Sequence, residues 1–118
     1  MARTKLMKLL FLIDRELYQR FGATVFRWKM YKYGPFSREV LDVLDDMDVY
    51  GSVVAKVTDD AIIYELASTA PVELPQEVKE VADKILETWA YKSLDYLLTY
   101  VYNLEEVKKT WLEKPLLR

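Results

Sequence analysis

Histidine and cysteine are both missing from the 118 residues. Their absence excludes disulfides, thiolate nucleophiles, imidazole general bases and soft-ligand metal sites, and with them most familiar enzyme chemistries. Side-chain amides are scarce: Gln19, Gln76 and Asn103 are the whole set, while Lys and Glu are frequent, a balance that leans towards a heat-adapted (thermophile) source. Long apolar runs are lacking too. The longest, Leu9–Ile13, falls far below the roughly 18 residues that span a bilayer, and no charged-then-apolar leader opens the chain. The expectation is a cytoplasmic, non-enzymatic protein with no membrane, metal or cofactor to serve.

What is present is apolar and aromatic. With 52% hydrophobic and 14% aromatic content, the chain is long enough for one core, which predicts a single domain over 1–118. Its centre is expected at Lys5–Phe21. Stepping about 100° per residue, Leu6, Leu9, Leu10, Ile13, Leu17 and Phe21 form one wide apolar face that Met7, Phe11 and Tyr18 extend. Lys5, Lys8, Arg15, Glu16 and Gln19 gather on a narrow polar seam. A helix apolar nearly all round belongs inside a fold. Asp14 breaks the pattern, falling among Leu10, Leu17, Phe21 and Met7, where a carboxylate needs partners. It is read as an internal anchor for a neighbouring loop, with a functional carboxylate as the alternative.

Along the chain, Gly22-Ala23-Thr24 is a turn and Val25–Tyr33 reads as a strand, with Phe26, Trp28 and Met30 inward and Arg27, Lys29, Tyr31 and Tyr33 outward. Gly34-Pro35 is expected to open a second helix, with Pro35 in its first turn and Phe36, Val40, Val43, Leu44 and Met47 on the core. Asp45, Asp46 and Asp48 crowd that helix's C-terminus, where the macrodipole disfavours acids. Water and salt, a partner's base or a hard cation would each offset them, but neighbouring Asp45 and Asp46 point about 100° apart and chelate poorly. Gly51 suits a cap or the loop after it, and Val53–Val57 and Ala61–Leu66 read as a hairpin across Thr58-Asp59-Asp60.

Ala67–Leu74 is expected to be an extended connector. Helix signals resume at Pro75, with Val78, Val81, Ala82, Ile85, Leu86 and Trp89 as a stripe. Ser93 is read as the cap of a helix with Leu94, Leu97, Leu98 and Val101 inward and Tyr96 and Tyr100 off the stripe. Leu104, Val107 and Trp111 predict a short last helix that Pro115 ends. The sum is a mainly helical α+β fold: about five helices around a buried N-terminal helix, with a short strand, a β-hairpin and a winged-helix-like middle section.

Charge is uneven. Residues 1–40 carry nine bases and three acids, a net of +6; the remainder carries eight bases and 16 acids, a net of −8. A nucleic-acid or acidic partner is one explanation; a basic front packed beside an acidic back is the other.

RTKLMKLLFLIDRELYQRFG followed by WKMYKYGPFSREVLDVLD resembles the Panacea, or SocA-like, antitoxin domain and the related YwgA-like prokaryotic proteins. There, K-L-x-K-L-x-Y-L-x-D leads to K-Y-G-P-x-S-x-E-V-x-D-x-L. The matching positions here are Lys5, Leu6, Lys8, Leu9, Phe11, Leu12 and Asp14, then Lys32, Tyr33, Gly34, Pro35, Ser37, Glu39, Val40, Asp42 and Leu44. Phe11 stands where Tyr is frequent, and no aromatic-histidine cluster follows near the end. The likeness covers the first 45 or so residues well and the rest in outline. It implies a non-catalytic domain that neutralises a toxin or presents a client protein to a protease.

The residues alone lead the same way. Sixteen aromatics exceed what a small core readily hides, and Tyr and Trp concentrate binding energy at interfaces. Arg27, Tyr31, Lys32, Tyr33, Tyr96 and Tyr100 are the candidate partner-binding residues. Asp14, Gly34, Pro35 and Ser37 are the candidate structural anchors, with Asp14 expected beside the Tyr33–Ser37 turn. A partner protein is the leading reading, with self-association as a homodimer also open. DNA binding by a winged-helix-like regulator is the alternative, against which the acidic hairpin tip has the wrong sign.

Overall fold

The computed structural model describes residues 1–68 and 73–117. Its elements are α1 (Arg3–Phe21), β1 (Trp28–Tyr31), β2 (Gly34–Phe36), α2 (Arg38–Val49), β3 (Val53–Val57), β4 (Ile62–Leu66), α3 (Gln76–Trp89), α4 (Leu94–Tyr102), α5 (Glu105–Lys108) and β5 (Pro115–Leu116). This is a mainly helical α+β fold. The expected connector falls partly on residues 69–72, which lie outside the described residues.

α1 is central, packed by α3, α4, β2 and β4. Its Met7, Leu9, Phe11 and Leu12 share one core with Trp28, Val40, Val53, Tyr64, Trp89, Leu97, Val101, Val107 and Leu116, drawn from every other element but β2. α1 ends where Gly22 turns left-handed (φ 74°) and donates its N–H to Tyr18 O, the usual termination for a residue without Cβ. Phe21, expected on the buried face, lies past the last packed turn and is exposed.

The expected strand Val25–Tyr33 shrinks to Trp28–Tyr31, because the chain before it follows the Asp14 carboxylate instead of a ladder. Gly34-Pro35-Phe36 does not open a helix. It forms β2, antiparallel to β1, with Met30 opposite Pro35, and α2 begins only at Arg38 with Ser37 in the capping position. Proline is tolerated because β2 is a sheet edge in the order β2-β1-β5, where its missing N–H breaks no ladder bond. Phe36 therefore leaves the helix stripe and meets Tyr31 edge-on, 4.9 Å between ring centroids. Val43, counted inward on α2, is exposed, while Val40 and Leu44 are buried.

β3 and β4 form the separate antiparallel hairpin. α3 and α4 begin at their expected places, and Ser93 Oγ accepts the Tyr96 N–H. The last helix is a correction: α5 stops at Lys108, and Trp111 swings out to 81% exposure. The chain instead turns so that Pro115-Leu116 pairs with β1, adding a third strand and burying Leu116.

Candidate functional site

Two buried ionisable side chains on α1 fix the β1–β2 hairpin and the loop leading into it. Asp14 is 1% exposed; its Oδ1 accepts the Val25 N–H at 2.8 Å, and its Oδ2 accepts the Phe26 N–H at 2.9 Å and the Trp28 indole Nε1–H at 2.8 Å. Three donors on one carboxylate supply the satisfaction that a buried charge requires. The loop it holds is 25–28, however, and not the Gly34-Pro35 corner. That corner belongs to Lys8, placed by its sequence on the polar seam but 4% exposed, with Nζ donating to Pro35 O at 2.9 Å. Burial lowers the Lys8 pKa from 10.5 to about 8. The seam assignment failed because Phe11 and Leu12, one turn on, carry the apolar face around to Lys8; the only sequence signal was the K-L-x-K spacing itself.

Gly34 is fixed by conformation and by space. Its φ is 101°, and a Cβ there would lie 2.8 Å from Tyr102 Cε1 and 3.5 Å from Lys8 Cε. The Tyr102 hydroxyl donates to Tyr33 O at 2.8 Å, tying α4 to the hairpin, and burial raises its pKa. Pro35 is buried. Ser37 is buried too, but its side chain makes no capping bond and its Oγ has no protein partner among the described residues.

The six candidate surface residues divide into two groups. Arg27, Tyr31, Lys32 and Tyr33 lie on and around the β1–β2 hairpin. Tyr33 is 69% exposed with Lys32 Nζ 5.7 Å from its ring, and Arg27 and Tyr31 share a shallow cleft with Lys29, Phe36, Arg38 and Glu39. Tyr96 and Tyr100 lie elsewhere. Both pack against Trp89, at centroid distances of 5.9 and 4.4 Å, while Leu98 and Tyr102, which face the hairpin, sit on the other flank of α4. Tyr96 remains 58% exposed, and Lys92 Nζ lies 4.9 Å from its ring and 5.7 Å from that of Trp89. The exposed Trp111 is a further aromatic that its apparent helical register had hidden.

Much of the basic front is engaged internally. Arg15 pairs with Glu106, Arg20 with Glu16 and Arg38 with Asp42, and Lys5 Nζ donates to the carbonyls of Ala90 and Lys92 beyond the end of α3. At the crowded end of α2, Asp48 Oδ1 accepts the Ala55 N–H at 3.3 Å. Among the described residues, no cluster of three acids is placed to hold a metal ion, and no helix is long and apolar enough to cross a membrane.

The family model described as antitoxin SocA-like, Panacea domain, matches residues 6–107. Neither a curated protein nor a solved structure matches the chain significantly.

Proposed function

We propose, from the premise that the chain belongs to the SocA-like antitoxin, Panacea-domain family, that it is a non-catalytic cytoplasmic module that binds a partner protein such as a toxin. The observation that carries the reading is the accessible aromatic group on α4: Tyr96 and Tyr100 lean on Trp89 and keep their outer faces in water. Rigid aromatics backed by a packed neighbour are what interface hot spots require. Arg27, Tyr31, Lys32 and Tyr33 offer a second contact area, separated from the first by the width of α4.

The DNA-binding alternative has less in its favour. Arg15, Arg20 and Arg38 are paired, Lys8 is buried, and the hairpin tip carries Asp59 and Asp60 in the open, where phosphates would be repelled.

Affinity capture from the source cell with the wild-type chain, Tyr96→Ala and Tyr100→Ala tests the proposal. The expected result is one recurrent protein whose retention falls roughly tenfold or more in a variant that melts like wild type. Unchanged capture, capture of nucleic acid that salt dissociates, or a second copy of the chain as the sole partner would each overturn it.

A further inference from the structure

The ammonium of Lys8 donates to one carbonyl, and no carboxylate of the described residues pairs with it. Most buried charges have an opposite partner. The Lys8 side chain also lines a cleft of about 350 Å³ between α1, the β1–β2 hairpin and α4, whose walls are largely apolar: Met7, Phe36, Leu98 and the rings of Tyr33 and Tyr102. Arg3, whose guanidinium donates to Tyr64 Oη at 2.9 and 2.7 Å, is the second basic residue of the lining. Two basic residues, one of them a buried amine without a carboxylate partner among the described residues, no acid in the lining and apolar walls favour one ligand chemistry.

We infer that this cleft is a binding site for a small organic anion, a carboxylate carried on an apolar ring or short chain, with Lys8 as its counter-charge. The volume lies at the small end of the roughly 300–1,000 Å³ range of ligand sites, and it is too small for a helix some 10 Å across. Because the Lys8 pKa stays at about 8, the amine is mainly protonated at neutral pH and presents the charge a carboxylate needs. Desolvation by the surrounding side chains strengthens that attraction beyond its value in water. The site shares Tyr33 with the second contact area but lies on the other flank of α4 from Tyr96 and Tyr100, whose substitutions test the protein-partner proposal, so the two can fail separately.

The test uses the full chain with benzoate as the probe, and benzyl alcohol and benzylamine as neutral and cationic counterparts of similar shape. Titrations followed by NMR should show benzoate shifting the ring protons of Tyr33 and Tyr102 and binding at least tenfold tighter than benzyl alcohol, with no binding of benzylamine. Lys8→Met keeps the apolar volume and should weaken benzoate at least tenfold while leaving benzyl alcohol unchanged. Equal binding of the acid and the alcohol, shifts confined to other parts of the surface, or full benzoate affinity in the Lys8→Met variant would overturn the inference. If that variant does not fold, the charge preference and the position of the shifts in the wild-type chain decide alone.

Discussion

Replacing Asp14 with Asn changes a single atom type at the centre of the fold. The carboxylate accepts three hydrogen bonds, two at Oδ2 and one at Oδ1. Asn retains one acceptor oxygen and places an amide donor against at least one N–H, so one bond is lost and a donor faces a donor. A bond to a charged group contributes roughly 1.5–3 kcal/mol, and a buried donor left unsatisfied costs about 1–3 kcal/mol. The expected destabilisation is therefore about 3 kcal/mol, out of the roughly 5–15 kcal/mol that holds a domain together. For a chain of this length that lowers Tm by about 10 °C. Urea melts followed by tryptophan fluorescence measure the loss directly, and a double-mutant cycle with Trp28→Phe isolates the indole bond. Once the indole N–H is gone, Asp14→Asn should cost about 1–2 kcal/mol less than in the wild-type background. An Asp14→Asn variant within about 0.5 kcal/mol of wild type, or a cycle that sums to zero, would refute the assignment of Asp14 as the loop's anchor.

Lys8 gives a pH-dependent prediction. The unfolded chain holds this proton up to 10.5 and the folded chain releases it near 8; the burial cost is fully present below 8, and stability rises as pH climbs through it, by about 2 kcal/mol between pH 7 and 9.5. In denaturant melts, the stability of Lys8→Met relative to wild type should fall by that amount over the same range, and a parallel pH dependence in both proteins would exclude Lys8 as the source. Gly34→Ala meets both a φ of 101° and the Tyr102 ring, so a loss of about 2 kcal/mol or more is expected; Tyr102→Leu in the same chain should recover only the steric part, as thermal melts would show. Trp111→Ala removes a side chain that is 81% exposed and should shift stability by less than about 0.5 kcal/mol, a larger loss in urea melts being evidence that it packs in solution.

The N-terminal helix was legible because its apolar residues outnumber its polar ones on nearly every side, and Asp14 announced itself as the exception. Lys8 did not, since a lysine beside Lys5 reads as part of a solvated seam unless the hairpin that covers it is already known. β2 and β5 were invisible for a related reason. Gly-Pro-Phe and Pro-Leu have no periodicity of their own, and both become strands only because β1 offers them ladder partners. Trp111 followed the helical spacing of Leu104 and Val107, yet the pull of Leu116 into the core won over one further turn. Of the candidate surface residues, exposure could be guessed from their place off each stripe; their division into two areas needed the path of α4 between them.

The Pro35 that edges the β2-β1-β5 sheet has one more effect. Met30 uses its backbone groups on the β5 side, bonding Lys114 O and the Glu113 N–H, so those of its partner Pro35 point the opposite way, towards the edge of the sheet that α1 covers. There the nitrogen has no hydrogen, and the carbonyl is taken by Lys8. An extended segment from another molecule finds neither donor nor acceptor at that position and cannot continue the ladder. Whatever docks along β2 must therefore do so through side chains, without adding a strand at that edge.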